Sequence, residues 1–294
     1  MKRFSIIIPV APYRNAEILS SIKNLDYKKS KFETIVKKGL NPSKNRNDAA
    51  KEAKSEYLVF LDDDAIINPD YLSVLDKIIK ECKAAALGGP QFTPKNDSFF
   101  GKASGYIFGS FLATYQMSNR YKRGRTKENA DEFYFTSANF TIKKDIFLKI
   151  KGFNELLFPG EDPEFFSRLK NNNIKMLYHP DIIIYHRRRK NVSSMAKQFF
   201  LYGYVRLKKE KISKTKSIIF FFPALFVIYL LFLPLLSIIP FLLIPLYFYL
   251  ILIFINSIYL SFKHGFQYVF LFPLLFLLVH ISYGLGVISS IIRK

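Results

Sequence analysis

The chain has 294 residues, room for one or two domains, and carries a formal net charge of +21. Its single cysteine, Cys82, excludes a disulfide framework and any cysteine-rich zinc site. All acidic residues precede Ser217, and beyond it the only Lys or Arg are Lys263, Arg293 and Lys294. A charged N-terminal part is thus joined to an apolar C-terminal part. That division favours an anionic membrane surface over nucleic acid as the partner of the basic residues.

Met1-Lys2-Arg3-Phe4 leads into Ser-Ile-Ile-Ile-Pro-Val. This run is too short for a secretory h-region and reads as a buried strand over Phe4–Val10. Asn15 is placed to cap a helix with Ala16, Leu19, Ile22 and Leu25 on one face. A second strand is expected over Phe32–Val36, ending in Lys37-Lys38-Gly39, and Ser43 is placed to cap a helix through Ala49, Ala50 and Ala53. Strand 57–62 follows, then a helix started by Asn68-Pro69 with Tyr71, Leu72, Leu75, Ile78 and Ile79 inward, beside which Cys82 fits the core. A strand over Ala84–Leu87 precedes Gly88-Gly89-Pro90. Alternating strands and helices predict a doubly wound α/β sheet.

Residues 90–130 mix aromatics with Gly, Ser and Asn and end in a basic run, Arg120–Lys127. They are expected to be partly ordered, shaping an acceptor site or lying near the membrane, or else to combine aromatic packing with a flexible basic loop. Phe133–Ile142 reads as a strand-pair region and Asp145–Ile150 as a short helix. Glu161 and Asp162 stand at the start of a helix with Phe165, Phe166 and Leu169 inward. Short strands are expected at Met176–Tyr178 and Ile182–Tyr185, the second ended by His186.

The chemistry concentrates at Tyr57–Ala65, where five apolar or aromatic residues run into Asp62-Asp63-Asp64. Ligands of open α/β sheets bind outside the carboxyl ends of strands, where this triplet would arrive. Three adjacent carboxylates repel one another, and Asp62 and Asp64 could share a divalent ion such as Mg²⁺. The plainer alternative is a solvated acidic turn. For Glu161 and Asp162 the plainer alternative is stabilisation by the helix dipole.

Ile218–Ser237, Phe241–Ser261 and Tyr268–Ile291 are each long and apolar enough to span a bilayer. Three spans are expected, or two if the proline-flanked pair forms a re-entrant hairpin. Arg187–Lys216 holds eleven Lys or Arg against one Glu, which places the N-terminal part in the cytoplasm by the positive-inside rule. Met195, Phe199, Tyr202 and Val205 recur at helical spacing there, as in an interfacial amphipathic helix, or in a linker helix packed on the sheet. The expected organisation is a catalytic domain at 1–190, a basic helix or linker at 191–216 and a membrane region at 217–294.

Together these segments resemble the family 2 glycosyltransferases, which use the GT-A fold. The resemblance rests on Ser5–Val10, Asn45-Arg46-Asn47-Asp48-Ala49, Phe60–Asp64, Ser137-Ala138-Asn139, Gly160–Glu164, His179-Pro180-Asp181 and Tyr185-His186, in that order. It covers roughly the first two-thirds of the chain. It implies a Rossmann-like, mostly parallel sheet for that part, and the apolar stretches beyond it read as an all-α transmembrane region. The implied reaction is inverting transfer from a nucleotide-sugar donor, dependent on Mg²⁺ or Mn²⁺; the basic helix and the membrane spans add the expectation of a lipid-linked or other glycan acceptor at the cytoplasmic membrane face. The implied metal ligands are Asp62, Asp64 and His186, with His179 as the alternative histidine. The implied base is Asp162, with Glu161 beside it as the rival. Donor contacts fall on Pro9, Val10, Arg14, Lys38, Arg46, Asp62, Asp63 and Asn139. Relatives commonly end the second strand with an acidic residue that reads the nucleotide base; here Lys37-Lys38-Gly39 stands instead, and Ala49 replaces a glycine of the Arg-Asn pattern. The competing readings are a polyprenyl-phosphate sugar synthase and a non-catalytic nucleotide-binding membrane adaptor.

Overall fold

The computed structural model describes residues 2–213, 218–236 and 238–293. They form two compact units. The first comprises the described residues up to Pro94 together with Gln116–Arg187; the second comprises Lys95–Tyr115 and the described residues from Arg188 onward.

The first unit is an α/β domain. Its strands are β1 (Lys2–Val10), β2 (Phe32–Lys38), β3 (Ser55–Leu61), β4 (Ala65–Ile67), β5 (Ala86–Gly88), β6 (Gln91–Phe92), β7 (Asn139–Lys143), β8 (Met176–Tyr178) and β9 (Ile184–His186). Six form a mixed, mostly parallel sheet in the order β2-β1-β3-β7-β5-β8, and β4, β9 and β6 form a small second sheet. Only β7 runs against its neighbours in the large sheet. The strand pair expected over 133–142 is this one strand, preceded by turns.

β1 and β3 are apolar on both faces because both are covered, as central strands of such sheets are. Phe4, Ile6, Ile8 and Val10 of β1, with Tyr57, Val59 and Leu61 of β3, face α1 (Leu19–Lys23) and α3 (Tyr71–Cys82). Ile7, Leu58 and Phe60 point the other way, toward α2 (Pro42–Glu52), α6 (Lys144–Lys149) and α7 (Glu161–Asn171). That second layer is rich in phenylalanine: Phe60 meets Phe153 edge-on, with centroids 5.3 Å apart at 84°. Edge-on pairs of this kind contribute about 0.5–1.5 kcal/mol beyond area burial.

Three helix starts differ from expectation: α3 begins at Tyr71 behind Asp70 and not at Asn68-Pro69, and Cys82 at its far end is exposed and outside the core. Asn41, not Ser43, caps α2, its side chain accepting from the Lys44 N–H at 3.1 Å. Pro42 takes the first helical position, where no N–H is needed. Ser43 is buried instead. Asn15 caps nothing, because α1 begins only at Leu19 after a turn.

The second unit holds α4 (Phe99–Phe108), α5 (Phe111–Thr114), α8 (Val192–Tyr204), α9 (Arg206–Ser213), α10 (Phe222–Leu236), α11 (Ile244–His264) and α12 (Leu271–Ile292). Three stretches are long and apolar enough to cross a membrane: Ile218–Leu235, Pro240–His264 and Leu271–Ile292. Residues 214–217, which end the basic stretch, and Ser237 lie outside the described residues. Met195, Phe199 and Gly203 are the buried residues of α8, which packs along α12. A Cβ on Gly203 would stand 2.1 Å from the Tyr283 carbonyl oxygen, and one on Gly286 2.0 Å from that of Phe200. Small residues are what let two helix backbones approach so closely.

Residues 90–130 divide between the units. α4, capped by the Ser98 hydroxyl, stacks on the helical bundle through Phe99 on Tyr268 and Tyr106 on His264, with centroids 4.6 and 3.8 Å apart. The basic run 120–127 is an ordered strap in the first unit. The Tyr178 hydroxyl accepts the Gly124 N–H, and Lys127 exchanges both backbone hydrogen bonds with Tyr178 at 2.9 and 3.0 Å.

Candidate active site

The alternation that sorts β3 between two layers carries into the triplet that follows it. Asp62 continues the face of Leu58 and Phe60, toward α2 and α7. There Arg46 of α2 donates to Asp62 Oδ1 at 2.9 Å and its other terminal nitrogen lies 3.4 Å from Glu161 Oε1. Asp63 turns to the opposite side and is 5 % exposed. Its Oδ1 lies 3.1 Å from Arg14, while its buried Oδ2 has no hydrogen-bond partner. Asp64 stands in the turn, with Oδ2 accepting from Arg14 at 2.8 Å.

His186 arrives by sheet pairing. β4 follows the triplet directly, β9 runs antiparallel to it, and Ala65 lies opposite His186 in register. His186 Nε2 consequently sits 2.9 Å from Asp64 Oδ1 and 3.7 Å from Asp62 Oδ2. Its Nδ1 is 3.0 Å from the Arg187 carbonyl oxygen. A carbonyl can only accept, so Nδ1 carries a proton and Nε2 is the nitrogen turned to the carboxylates.

The electrostatics follow from this arrangement. Burial opposes ionisation of Asp62 and Asp64, but the His186 hydrogen bond, with Arg46 for Asp62 and Arg14 for Asp64, outweighs it and holds both below the ordinary carboxylate range. Burial likewise disfavours charge on His186, yet the two carboxylates raise it to about 9. Asp63 is pushed up to about 6 by burial and by its two acidic neighbours, against the pull of Arg14. A histidine held cationic between two carboxylates marks a position that wants positive charge.

Asp62, Asp64 and His186 each offer one atom, all within 4.8 Å of one another. Two hard carboxylates with one imidazole whose far nitrogen is fixed by a carbonyl is a donor set that fits a divalent ion. His179 does not join the cluster; its ring lies against the Asp181 backbone N–H at 3.3 Å.

Glu161 and Asp162 open α7. Glu161 is buried, and its Oε2 accepts the Gly160 N–H at 3.0 Å. Burial first, and then the adjacent Asp162 charge, push its carboxyl above the usual range, with Arg46 opposing. Asp162 is held differently: Oδ2 accepts the Ser137 N–H at 2.9 Å, and the buried Oδ1 has no partner. Arg46 feels the charges of Asp62, Asp162 and Glu161 together, so the two acidic groups belong to one cluster around it.

The remaining expected donor residues are distributed unevenly. Val10 pairs with Lys38 at the carboxyl ends of β1 and β2, but its side chain is buried in the core, whereas Lys38 is exposed. Pro9 is buried beside it. Asn139 is 1 % exposed, donating to the Pro90 and Ile182 carbonyls and accepting from the Tyr71 hydroxyl, so it braces the core and does not join the cluster. Arg46 is also committed inward. Sequence reading missed the Ser137 N–H as the anchor of Asp162, since backbone donors carry no residue signature.

A mixed, mostly parallel α/β sheet with an aspartate triplet at the carboxyl end of a central strand is the architecture of the GT-A fold. Residues 12–151 match the family model described as glycosyl transferase family 2, and apolar helices of membrane-spanning length follow them. No curated protein matches the chain by sequence. Among solved structures, the chain is similar to the mannosyltransferase PcManGT from Pyrobaculum calidifontis in complex with GDP-Man and Mn²⁺. That similarity has a TM-score of 0.58 at 13 % identity, over 99 % of this chain and 88 % of that one. It also resembles S. aureus TarS 1–349 (TM-score 0.48, 17 % identity, 72 % of this chain and 69 % of that chain). A form of the latter in complex with UDP-GlcNAc gives the same score at 16 % identity, over 72 % of this chain and 70 % of that one.

Proposed function

We propose that the chain is a membrane-anchored, metal-dependent, inverting glycosyltransferase. It moves a sugar from a nucleotide-sugar donor to a lipid-linked glycan acceptor at the cytoplasmic membrane face. The observation that carries this reading is the pair of unlike carboxylate sites around Arg46. One is a three-ligand cluster that favours a cation, and the other is a carboxylate with a single pinned oxygen.

A divalent ion held by Asp62, Asp64 and His186 would neutralise charge developing on a leaving diphosphate. Asp162, half-buried and with Oδ2 held by the Ser137 N–H, takes the proton of the acceptor hydroxyl. A base must be unprotonated at working pH. Glu161, whose carboxyl is biased toward holding its proton, is the poorer candidate of the two. Direct displacement by one activated hydroxyl inverts the anomeric centre.

The acceptor class rests on position. Three helices of spanning length and the exposed cations of Arg187–Lys211 keep the domain beside anionic headgroups and raise the effective concentration of a lipid acceptor. The same excess of Lys and Arg supports the cytoplasmic orientation.

The test is a panel of UDP- and GDP-sugars offered to the purified full chain with membrane lipids, with Mn²⁺, Mg²⁺ or chelator. Transfer that needs the metal and is lost in Asp64→Ala is the expected result. A product with one sugar on a single phosphate link would mark a polyprenyl-phosphate sugar synthase. Metal-dependent donor binding with no turnover of any sugar would mark a non-catalytic adaptor and overturn the proposal.

A further inference from the structure

Arg46 is the buried residue that physically joins the two halves of the site. It is 4 % exposed and both its terminal nitrogens face acidic side chains of the protein itself. Its two terminal nitrogens serve different partners, one Asp62 Oδ1 at 2.9 Å and one Glu161 Oε1 at 3.4 Å, and its Nε has no partner. The Asp62 carboxylate is itself divided, with Oδ1 on Arg46 and Oδ2 turned to His186. Glu161 closes the chain of contacts by accepting the Gly160 N–H at the start of α7, one residue before Asp162.

We propose that Arg46 is a positioning residue that couples cation binding at Asp62, Asp64 and His186 to ordering of the α7 N-terminus, where Asp162 sits. The inference rests on reading Asp62 as a metal ligand and Asp162 as the base. Fixing Asp62 Oδ2 fixes Oδ1, and through Arg46 the Glu161 carboxylate and the turn it holds. Coupling between sites is a free energy and is reciprocal. Cutting the link at Glu161 therefore weakens cation affinity by the same factor by which it removes ordering.

Amide hydrogen exchange of the full chain, with and without saturating Mn²⁺, reads this directly. In the wild type Mn²⁺ slows exchange over residues 158–165 by about fivefold or more, the lower range of measured coupling between sites. Glu161→Gln keeps an acceptor oxygen for Arg46 and retains the slowing. Arg46→Met and Glu161→Leu lose it while still binding Mn²⁺. A merely structural role would raise exchange equally with and without the ion. If Arg46→Met no longer binds Mn²⁺, Glu161→Leu, in which the Arg46–Asp62 pair is intact, decides alone. Full Mn²⁺-dependent protection in Glu161→Leu, or none in the wild type, overturns the proposal. Failure of the wild type to turn over any nucleotide sugar refutes the enzymatic reading instead, and leaves the exchange result to stand by itself.

Discussion

Asp162→Asn separates chemistry from binding. The asparagine carbonyl can still accept the Ser137 N–H now received at 2.9 Å, so the start of α7 keeps its anchor. The amide nitrogen replaces the buried oxygen without a partner and cannot accept a proton. Loss of a positioned general base typically costs about 10²–10⁴ in rate. At about 1.36 kcal/mol per factor of ten, the barrier rises by about 3–5 kcal/mol. Asp62, Asp64 and His186 are untouched, so donor and Mn²⁺ affinities stay within about twofold, a free-energy change below about 0.5 kcal/mol. Product formation followed by mass spectrometry gives the rate, and calorimetry gives the affinities. Transfer above a tenth of wild type, or a parallel loss of donor affinity, would refute the assignment. If Glu161→Gln carries the rate loss in its place, the base is Glu161.

Three further perturbations probe other parts of the structure. Asp64→Ala removes one proposed ligand and the 2.9 Å partner of His186; Mn²⁺ affinity measured by calorimetry should fall by at least about tenfold, or 1.4 kcal/mol, and unchanged affinity would place the ion elsewhere. Glu33 tests pH linkage: burial opposes its charge, but the Ser5 hydroxyl at 2.6 Å, the Lys54 N–H and Lys2 hold it below 4.5. Its contribution is present above 4.5 and lost as pH falls through the depressed folded value. Glu33→Gln should therefore lower the melting temperature at pH 7, and the gap should close in acid; a gap that widens below pH 4.5 refutes the sign. Gly286→Leu should separate α8 from α12, because even a Cβ there lies 2.0 Å from the Phe200 carbonyl oxygen. Thermal unfolding in detergent should shift down by several degrees, as for an overpacking cost of about 1–3 kcal/mol, and an unchanged melting temperature would deny the close approach.

Much of this protein is legible in its residues alone. The apolar runs of β1 and β3, the inward face of α3 and the three apolar stretches each announce their element, because burial on one face, two faces or in lipid leaves different periodicities. The aspartate triplet also declares itself, since three adjacent like charges at a strand end are costly without a function. Helix starts were less legible: Asn41 and Ser43 are both good caps, and only the Lys44 N–H shows which is used. The assignment of α4 and α5 to the helical unit needed the stacked rings of Phe99 and Tyr106, which join residues more than 150 positions apart. The site divides in the same way. The residue types of Asp62, Asp64, His186 and Asp162 pointed to metal and base chemistry. Which way each side chain faces came only from strand register and packing. The pairing of Ala65 with His186 sets the histidine on the carboxylates, and the alternation of β3 sends Asp62 and Asp63 to opposite layers. Arg46 is where sequence says least. A basic residue before a strand reads as a ligand contact, and only its burial between Asp62 and Glu161 makes it an internal link. Local sequence determined which groups are present; long-range pairing decided which of them share a charge.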